Sequence, residues 1–587
     1  MEVGRRNDAM NADSGLLKVA PLLIGLLAAG GLRAEVYEVG PGQALESVGA
    51  VPWESLQPGD EVRIHWRAEP YREKFVIGRA GTAQAPITVR GVAGPAGQRP
   101  VLDGRDASTR AELNFWNEAR GLIKIGGSNS PPDSTPAHIV IEGLSLRSAR
   151  PPYGFTGRDG ATDYADNAAA VYIEKGEHIV LRDLELHDSG NGLFCGAQTR
   201  DLLVEHCHIH DNGIEGSIYQ HNNYTEALGI VFQYNHFGPL RDGCPGNNLK
   251  DRSAGLVVRA NWIEGGNRQL DLVDAEGSQE LVEHPSYGQT FVYGNVLIEP
   301  AGAGNSQIVH YGGDSGTSAD YRKGSLYFHH NTVVSTRDGN TTLFRLSTED
   351  ESADCRNNAV WVSAAGDRLA LLNAAGRLTL RHNWLKTGWR DSHSGLSGSI
   401  DDDGSNPTGE APGFVDAAGG DFHLAADSAC IDAGGPLAEA AADHRPATQY
   451  VVHAAAEPRG DDGQPDIGAF ERCPPGGCTQ PDGGTDGADG GDGGLDAGAD
   501  AGGDPGSDGA ADGGADPGAD PGADAGADRD SDDRADAGDQ AEQAVSGGCG
   551  CASQDQRPAA GWGLLAGLLL LLARRRPMRL LSARLPD

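Results

Sequence analysis

Short apolar segments with an asparagine at a fixed place recur through the middle of the chain. Each has the form apolar-x-x-Asn-x-apolar, as in the segment that runs from Val258 to Ile263. The segments are rich in β-branched residues and are bounded by Gly, Asn and Asp, which favours β-strands. Stretches with a 3.6-residue period, long enough for helical repeats, are missing. The asparagines of the six copies are Asn235, Asn261, Asn295, Asn331, Asn358 and Asn383.

The spacing of these copies is irregular although their core is constant. Three earlier copies have Leu144, Leu184 and Cys207 at the asparagine position, and successive copies are 23 to 40 residues apart. A coil of short strands explains this combination, because each turn needs strands of fixed length while loops of any size project outward. The sequence therefore predicts an all-β fold, a single-stranded right-handed parallel β-helix.

We interpret the repeated asparagines as structural. Asn tolerates the left-handed backbone conformation that a sharp corner between strands requires, and stacked amides can hydrogen-bond along the axis of the coil. The open ends of a coil must also be covered, because a bare turn exposes unpaired strand groups. Residues 43–56 are predicted to form an N-terminal capping helix, and residues 412–471 to close the other end.

The two ends of the chain differ from this body. Arg5, Arg6 and Lys18 precede an apolar run at 19–29, which is shorter than the ~20 residues that span a bilayer. This order indicates an export signal. We divide the chain into an export signal (1–34), a β-helix domain (35–472), a disordered Asp/Gly/Ala/Pro-rich linker (473–548), a sorting or anchor segment (549–577) and a tail (578–587).

The net charge and the cysteine content limit the partners and the disulfides that this chain can have. The net charge of −37 argues against nucleic acid as a partner. Much of that charge lies in the linker, where residues 481–545 contain nineteen acidic and two basic residues. Nine cysteines in an exported chain permit disulfides and leave at least one unpaired. Cys473 and Cys478 are the predicted local pair, and Cys195 with Cys207 is a second candidate pair.

The C-terminal segment has three parts in order. A Cys-Gly-Cys motif at 549–551 precedes an apolar run at 561–573 and three arginines at 574–576. This order resembles the MYXO-CTERM sorting signal of myxobacterial surface proteins. The resemblance implies display at the cell surface or outer membrane, with the cell envelope as a partner through the C-terminal anchor. A plain tail anchor, with its basic stop on the far side, is the alternative.

The body resembles the pectate-lyase-like superfamily. The resemblance lies in the Pro-Gly-Asp turn at 58–60, the Pro-Ile-Thr-Val strand at 86–89, the Asn-cornered turns and the Asp-Ile-Gly-Ala-Phe end at 466–470. It implies a protein that acts on an acidic polysaccharide, and we expect a monomer. Because that superfamily includes hydrolases and non-catalytic members, three functions are open. The first is a lyase that cleaves uronate-containing glycan, and its rival is a glycan-binding or adhesin-like surface protein. The third is a hydrolase, with Asp251 and Asp271 as its pair of carboxylates.

The richest candidate chemistry lies on two successive turns. Strand alternation directs Leu249, Leu270 and Leu272 inward and turns Lys250 and Asp271 outward, on turns that are ~4.8 Å apart. The Leu-Lys-x-x-Ser stretch at 249–253 resembles the lysine strand of alginate-lyase-type β-helix enzymes, which implies that Lys250 is the catalytic base. An ion pair on the surface, without catalysis, is the alternative.

Other residues complete the predicted site. Arg252 and His310 join Lys250 as candidate catalytic residues. The Arg-His pair of that enzyme family is replaced here by Val273-Asp274. The resemblance to other lyases of this fold then implies calcium as the means of neutralising the substrate carboxylate, and the alternative is that the site carries no lyase chemistry. The predicted calcium ligands are Asp271, Asp274 and Glu276. The candidate substrate-binding residues are Tyr219, His221, Arg268 and Arg345.

Two histidine-containing loops are almost identical. His187-Asp-Ser-Gly-Asn191 and His210-Asp-Asn-Gly213 lie on successive turns. A repeated His-Asp pair can bind a metal, but repetition favours a role in the corner of the coil.

Overall fold

The computed structural model describes residues 34–474 and 477–478. The predicted export signal, most of the linker, the sorting segment and the tail lie outside the described residues. No helix within residues 34–474 is long and apolar enough to cross a membrane.

The regular secondary structure of the described chain is almost entirely β-strand, and loops of very different length connect the strands. The first strands are Val36–Val39 (β1), Glu61–His65 (β2), Glu73–Ile77 (β3), Ile87–Val92 (β4), Val101–Asp103 (β5), Ala107–Thr109 (β6), Asn114–Phe115 (β7), Gly121–Ile125 (β8), Ser128–Ser130 (β9), Ala137–Glu142 (β10), Ser145–Arg147 (β11), Gly154–Gly157 (β12), Gly160–Asp163 (β13), Ala169–Arg182 (β14), Glu185–His187 (β15), Asn191–Glu205 (β16), His208–His210 (β17), Asn223–Gln233 (β18), His236–Phe237 (β19) and Leu249–Asp251 (β20).

The remaining strands are Ala254–Arg259 (β21), Trp262–Glu264 (β22), Leu270–Leu272 (β23), Gln289–Tyr293 (β24), Val296–Glu299 (β25), Gln307–Tyr311 (β26), Ser325–His329 (β27), Thr332–Ser335 (β28), Thr341–Leu346 (β29), Ser352–Arg356 (β30), Ala359–Val362 (β31), Leu369–Leu372 (β32), Arg377–Arg381 (β33), Trp384–Lys386 (β34), Ser399–Asp402 (β35), Thr408–Gly409 (β36), Phe414–Asp416 (β37), Asp421–Leu424 (β38), Thr448–Val451 (β39) and Ala455–Pro458 (β40). The helical segments are one α-helical turn, Gln279–Val282 (α1), and four 3-10 turns at Val48–Ala50, Glu118–Arg120, Gly366–Arg368 and Glu439–His444.

Successive strands coil around three faces. A typical turn places β21 on the first face, β22 on the second and β23 on the third, and each pairs in parallel with the matching strand of the next turn. One 23-stranded sheet bends around the first and third faces, because β14, β16 and β18 each run through both. An 11-stranded sheet forms the second face. The predicted right-handed parallel β-helix is confirmed.

Alternation of side chains builds one continuous core inside the coil. On β10, for example, Ile139 and Ile141 are fully buried and stack in register on Ile179 and Leu181 of β14. The buried cluster extends along the coil from Val39 to Leu385. Outward positions on the same strands are therefore free to carry chemistry.

The asparagine ladder is confirmed, with a correction to its geometry. The side chains of the six asparagines are hydrogen-bonded in one series, each amide nitrogen donating to the carbonyl oxygen of the next side chain at 2.9–3.1 Å, and Asn406 continues it. The left-handed conformation belongs to the preceding residue, such as Tyr234 (φ 60°) or His330 (φ 51°). The corner therefore uses asparagine for its amide rather than for its backbone tolerance.

The predicted N-terminal capping helix is wrong. Within residues 43–56 the structure has only the 3-10 turn Val48–Ala50, because Pro52 removes the amide that a longer helix would need to continue. The cap is apolar instead. Trp53 is fully buried and stacks on Phe75 with ring centroids 3.8 Å apart.

The C-terminal stretch does more than close the coil. It turns back along the second face, where Phe422 packs on Trp262 and the Ala469 amide donates to Thr332 Oγ1 at 3.0 Å. The predicted Cys473–Cys478 disulfide is present. Cys195 and Cys207 are unpaired and buried: Cys195 lies on the third-face part of β16, whereas Cys207 stands at the corner where β16 ends.

Candidate functional site

The third face carries a straight column of polar side chains. Strand register aligns Tyr224, Lys250, Asp271, His310 and Arg345 on β18, β20, β23, β26 and β29. Each of these residues is flanked by buried residues, which are apolar except at Asn223, Thr225 and Asp251, so alternation directs the whole column outward. The pairing of Lys250 with Asp271 is the register that the sequence predicted.

Lys250 is held between two carboxylates. Its ammonium lies 2.9 Å from Asp271 Oδ2 and also donates to Asp314 Oδ2. Asp314 belongs to the loop between β26 and β27, which covers this part of the third face. Lys250 is only 7% exposed and Asp271 is fully buried, so the pair lies beneath the surface rather than in an open groove.

Burial and charge have opposite effects on these groups. Burial alone would lower the pKa of Lys250, but the Asp271 and Asp314 carboxylates raise it above its ordinary value of 10.5. Burial would raise the pKa of Asp271, yet the Lys250 ammonium and the bond to His310 hold it well below its usual range. The Asp314 pKa is lowered to about 2 by Lys250 and Arg252, again against the effect of burial. The cluster is therefore fully charged at neutral pH.

Arg252 is the second cation of the cluster. Its guanidinium donates to Asp314 Oδ1 at 2.8 Å and to the Tyr224 hydroxyl at 2.9 Å. It also lies 3.5 Å from Asp274 Oδ1 and from Glu276 Oε2. Arg252 thus connects the column to the loop that carries Asp314.

His310 stands between an acid and a hydroxyl. Its Nδ1 lies 2.8 Å from Asp271 Oδ1 and its Nε2 lies 2.9 Å from Ser347 Oγ. Burial lowers the pKa of His310 below its ordinary 6.5, although Asp271 opposes the shift. A neutral His310 donates from Nδ1 and accepts from the serine. Ser347 Oγ also accepts a hydrogen bond from the backbone amide of Gly313 at 2.9 Å, so the serine anchors the covering loop.

The predicted substrate-binding residues divide into two sets. Tyr219 is 70% exposed, and its backbone amide donates to Ser217 Oγ rather than to a residue of the column. His221 is buried and accepts from the Asn247 amide at 2.9 Å, and burial with the Lys250 charge lowers its pKa to about 3. Arg268 lies 3.8 Å from Asp271 Oδ1, and Arg345 pairs in register with His310. The structure thus brings together His221, Arg268 and Arg345 but not Tyr219.

The predicted calcium ligands do not converge. Asp271 is bound by Lys250 and His310, while both oxygens of Asp274 bind the covering loop at Asp314 and Ser315. Glu276 is exposed. Among the described residues, the only group of three or more His, Cys, Asp or Glu ligand atoms within 4.8 Å of one another lies elsewhere on the coil. Calcium binding at these three acids stays a prediction.

Three residues of this site were missed by sequence reasoning. Ser347 follows Arg345 at an outward spacing of two residues, so alternation could have found it. Glu226 likewise follows Tyr224, and burial raises its pKa to about 7. Asp314 lies in a loop without a repeat, and no pattern in the sequence signals its return to Lys250.

No protein-family model and no curated protein matches the chain. Solved structures resemble it at low identity. Pectate lyase Pel9A is 13% identical, with 75% of this chain and 98% of that chain covered and a TM-score of 0.42. An alginate lyase from Paenibacillus sp. strain FPU-7 is 14% identical (56% and 92% covered, TM-score 0.37), and a rhamnogalacturonan lyase is 13% identical (70% and 97% covered, TM-score 0.36). These likenesses are compatible with the β-helix and carry no argument about activity.

Proposed function

We propose that the chain is an exported, surface-displayed protein that cleaves uronate-containing polysaccharide by β-elimination at the Lys250 cluster. One observation carries the proposal. The Asp314 carboxylate is partly exposed on the third face and is bound by both Lys250 and Arg252. A uronate carboxylate also has two oxygens, which could bind the same two cations in place of Asp314. The covering loop would have to withdraw Asp314 for the substrate to enter.

The two cations suit the first requirement of β-elimination. The proton next to a uronate carboxylate becomes acidic enough to remove only when the negative charge of that carboxylate is neutralised. The pKa of Lys250 is raised against the effect of burial by Asp271 and Asp314, and that of Arg252 by Tyr224 and Asp314. Both side chains are therefore charged at neutral pH.

Because its pKa is raised, Lys250 does not suit the role of catalytic base. A protonated lysine cannot accept the substrate proton, whereas His310 is neutral and is oriented by Asp271. In this scheme His310 releases its bond to Ser347 Oγ and takes the proton at Nε2. The electron pair of the broken C–H bond forms the new C=C bond, and the glycosidic oxygen leaves with the electrons of the C–O bond. Glu226, with a pKa of about 7, supplies a proton to that oxygen. The role predicted for Lys250 from the sequence is thus replaced by carboxylate binding.

Glycan binding without cleavage is the second candidate. The observation that favours it is the depth of the cluster, since Lys250 is 7% exposed and His310 only 2%. A site of this kind can recognise a carboxylate at its rim while its histidine never reaches the sugar ring.

Ultraviolet absorbance distinguishes the two functions, because elimination creates an unsaturated uronate. The full-length protein is incubated with alginate, pectate and glycosaminoglycans. We expect absorbance to rise with at least one polymer, and the rate to fall about 100-fold or more in Lys250→Met. Lys386→Met is the matched control, because Lys386 is equally buried and ion-paired but lies on the second face.

Three outcomes are informative. Unchanged activity in Lys250→Met overturns the assignment of the site. Binding of a polymer without absorbance supports the second candidate. Neither binding nor absorbance with any uronate polymer overturns both functions.

A further inference from the structure

A second cluster of ionisable side chains lies on the second face of the coil, away from the Lys250 column. Strands β15 and β17 pair so that Glu185 lies beside His208 and His187 beside His210, with Leu186 and Ile209 fully buried between them. Alternation therefore turns two residues of each strand outward together. One ligand atom each from Glu185, His208 and His210 lies within 4.8 Å of the other two.

We propose that Glu185, His208 and His210 bind a zinc ion. Two imidazoles and one carboxylate are a donor set that Zn²⁺ accepts and Ca²⁺ does not, because calcium prefers oxygen ligands. In a tetrahedral zinc site with bonds of ~2.1 Å, ligand atoms are about 3.4 Å apart. His210 Nε2 lies 3.6 Å from Glu185 Oε1, close to that spacing, whereas the His208 ring stacks on the His210 ring with centroids 3.8 Å apart and has to turn its nitrogen toward the ion.

His210 is oriented as a metal ligand would be. Its Nδ1 lies 2.7 Å from the Asp211 carboxylate, which fixes the ring and leaves Nε2 as the donor atom. That Nε2 is buried and faces Glu185 Oε1 at 3.6 Å, just beyond hydrogen-bond distance. A histidine that ligates a metal usually donates its other ring nitrogen to such a carboxylate.

The next turn covers His208 but leaves His210 open. His236 of β19 stacks on the His208 ring with centroids 4.5 Å apart, whereas Gly238 carries no side chain over His210, where a Cβ would lie 2.9 Å from His210 Cβ and 3.5 Å from His208 Nε2. His187 stacks on His210 with ring centroids 5.2 Å apart, but its Nε2 lies 3.3 Å from Ser145 Oγ rather than facing the three ligands.

The cluster opens onto a cavity. His208 lines a space of about 320 Å³ together with His236, His453, Asp183 and Arg99. Three protein ligands leave one coordination position of zinc open, and at His208 that position can face the cavity. The geometry is thus that of a zinc site able to hold water or a small ligand.

Zinc titration of the full-length protein tests this site. All variants carry Cys549→Ser and Cys551→Ser, so that C-terminal thiols do not bind the metal. After removal of metals by chelation, competition with a chromogenic chelator should show one zinc ion bound per β-helix. His208→Ala and Glu185→Gln should lose that ion, whereas His284→Ala, a half-buried histidine outside the cluster, should keep it.

A conservative variant separates metal binding from folding. Asp211 occupies a left-handed position (φ 51°), which asparagine tolerates. Asp211→Asn should therefore fold, keep the stoichiometry and weaken zinc affinity about tenfold or more. Cobalt bound in place of zinc should show no thiolate charge-transfer band. Zinc binding with unchanged affinity in His208→Ala, or no binding by the parent protein, overturns the proposal.

Discussion

At the scale of single residues, the site depends on which carboxylate each cation holds. The sequence predicted the Lys250–Asp271 pair, because two-residue alternation and the distance between turns determine it, and the pair is present at 2.9 Å. It did not predict Asp314, which reaches Lys250 from a loop of irregular length. Loops of a coil follow no repeat, so a contact of this kind becomes visible only in the folded chain.

Replacing Lys250 by arginine tests whether the site needs the positive charge of Lys250 or its ability to accept a proton. Arginine is not deprotonated in proteins, so Lys250→Arg cannot act as a base at this position. If Lys250 only binds the carboxylate, the elimination rate of Lys250→Arg should stay within about tenfold of the parent protein, while Lys250→Met loses about 100-fold or more. Equal loss in both variants, with KM unchanged in Lys250→Arg, would return the role of base to Lys250.

The dependence of the elimination rate on pH follows from the same assignment. Because the pKa of His310 lies below 6.5, kcat/KM should rise as the pH increases through that lower value. The rate should fall again as the pH increases through about 7, where Glu226 loses the proton that it supplies to the leaving oxygen, while Lys250 keeps its charge to above 10.5. A rate that is low at neutral pH and still climbing near pH 10 is the profile of a lysine base and contradicts the role of His310.

At the scale of the strand and its corner, the amide ladder defines each turn. The repeat of asparagine predicted this ladder, but it did not show that the residue before each asparagine takes the left-handed conformation. That residue varies in type, as Tyr234, Ala260 and His330 illustrate, so its sequence carries no signal. The amide is required because it satisfies buried backbone groups on two turns.

Asn295 provides a direct test of the ladder. Its amide donates to Asn331 Oδ1 at 3.0 Å and to the Val258 carbonyl at 2.9 Å, and its oxygen accepts from Asn261. Asn295→Ala leaves these buried groups unpaired, and each unpaired group destabilises the folded state by about 1–3 kcal/mol. We expect the free energy of unfolding to fall by about 3 kcal/mol or more in denaturant titration. The exposed Asn340→Ala should change it by less than about 0.5 kcal/mol, and a similar small change in Asn295→Ala would argue against the ladder.

At the scale of the whole molecule, the coil and its ends differ in how far they could be predicted. The β-helix follows from a repeat that is visible in the sequence. The return of the C-terminal stretch along the second face could not be predicted. Phe422 contacts Trp262 across 160 residues of chain, and no repeat or motif in the sequence links the two residues. The capping helix failed for a local reason, since Pro52 interrupts it.

Packing of the returning stretch can be measured with two neighbouring substitutions. Phe422 is nearly fully buried against the second face, whereas Val415 on the preceding strand is exposed. Phe422→Ala should lower the free energy of unfolding by about 3 kcal/mol, and Val415→Ala should leave it almost unchanged. Equal stability of the two variants would show that the stretch does not pack on the coil.

The most direct test of the site is the affinity for an acidic oligosaccharide when Asp314 is neutralised. Calorimetric titration compares the parent protein, Asp314→Asn and the control Asp367→Asn, an exposed ion-paired acid outside the cluster, with oligomers of galacturonate and of the alginate uronates. If a substrate carboxylate takes the place of Asp314, Asp314→Asn should bind about tenfold more tightly, a gain of about 1.4 kcal/mol, and Asp367→Asn should match the parent. Unchanged or weaker binding by Asp314→Asn would show that Lys250 and Arg252 do not receive the substrate.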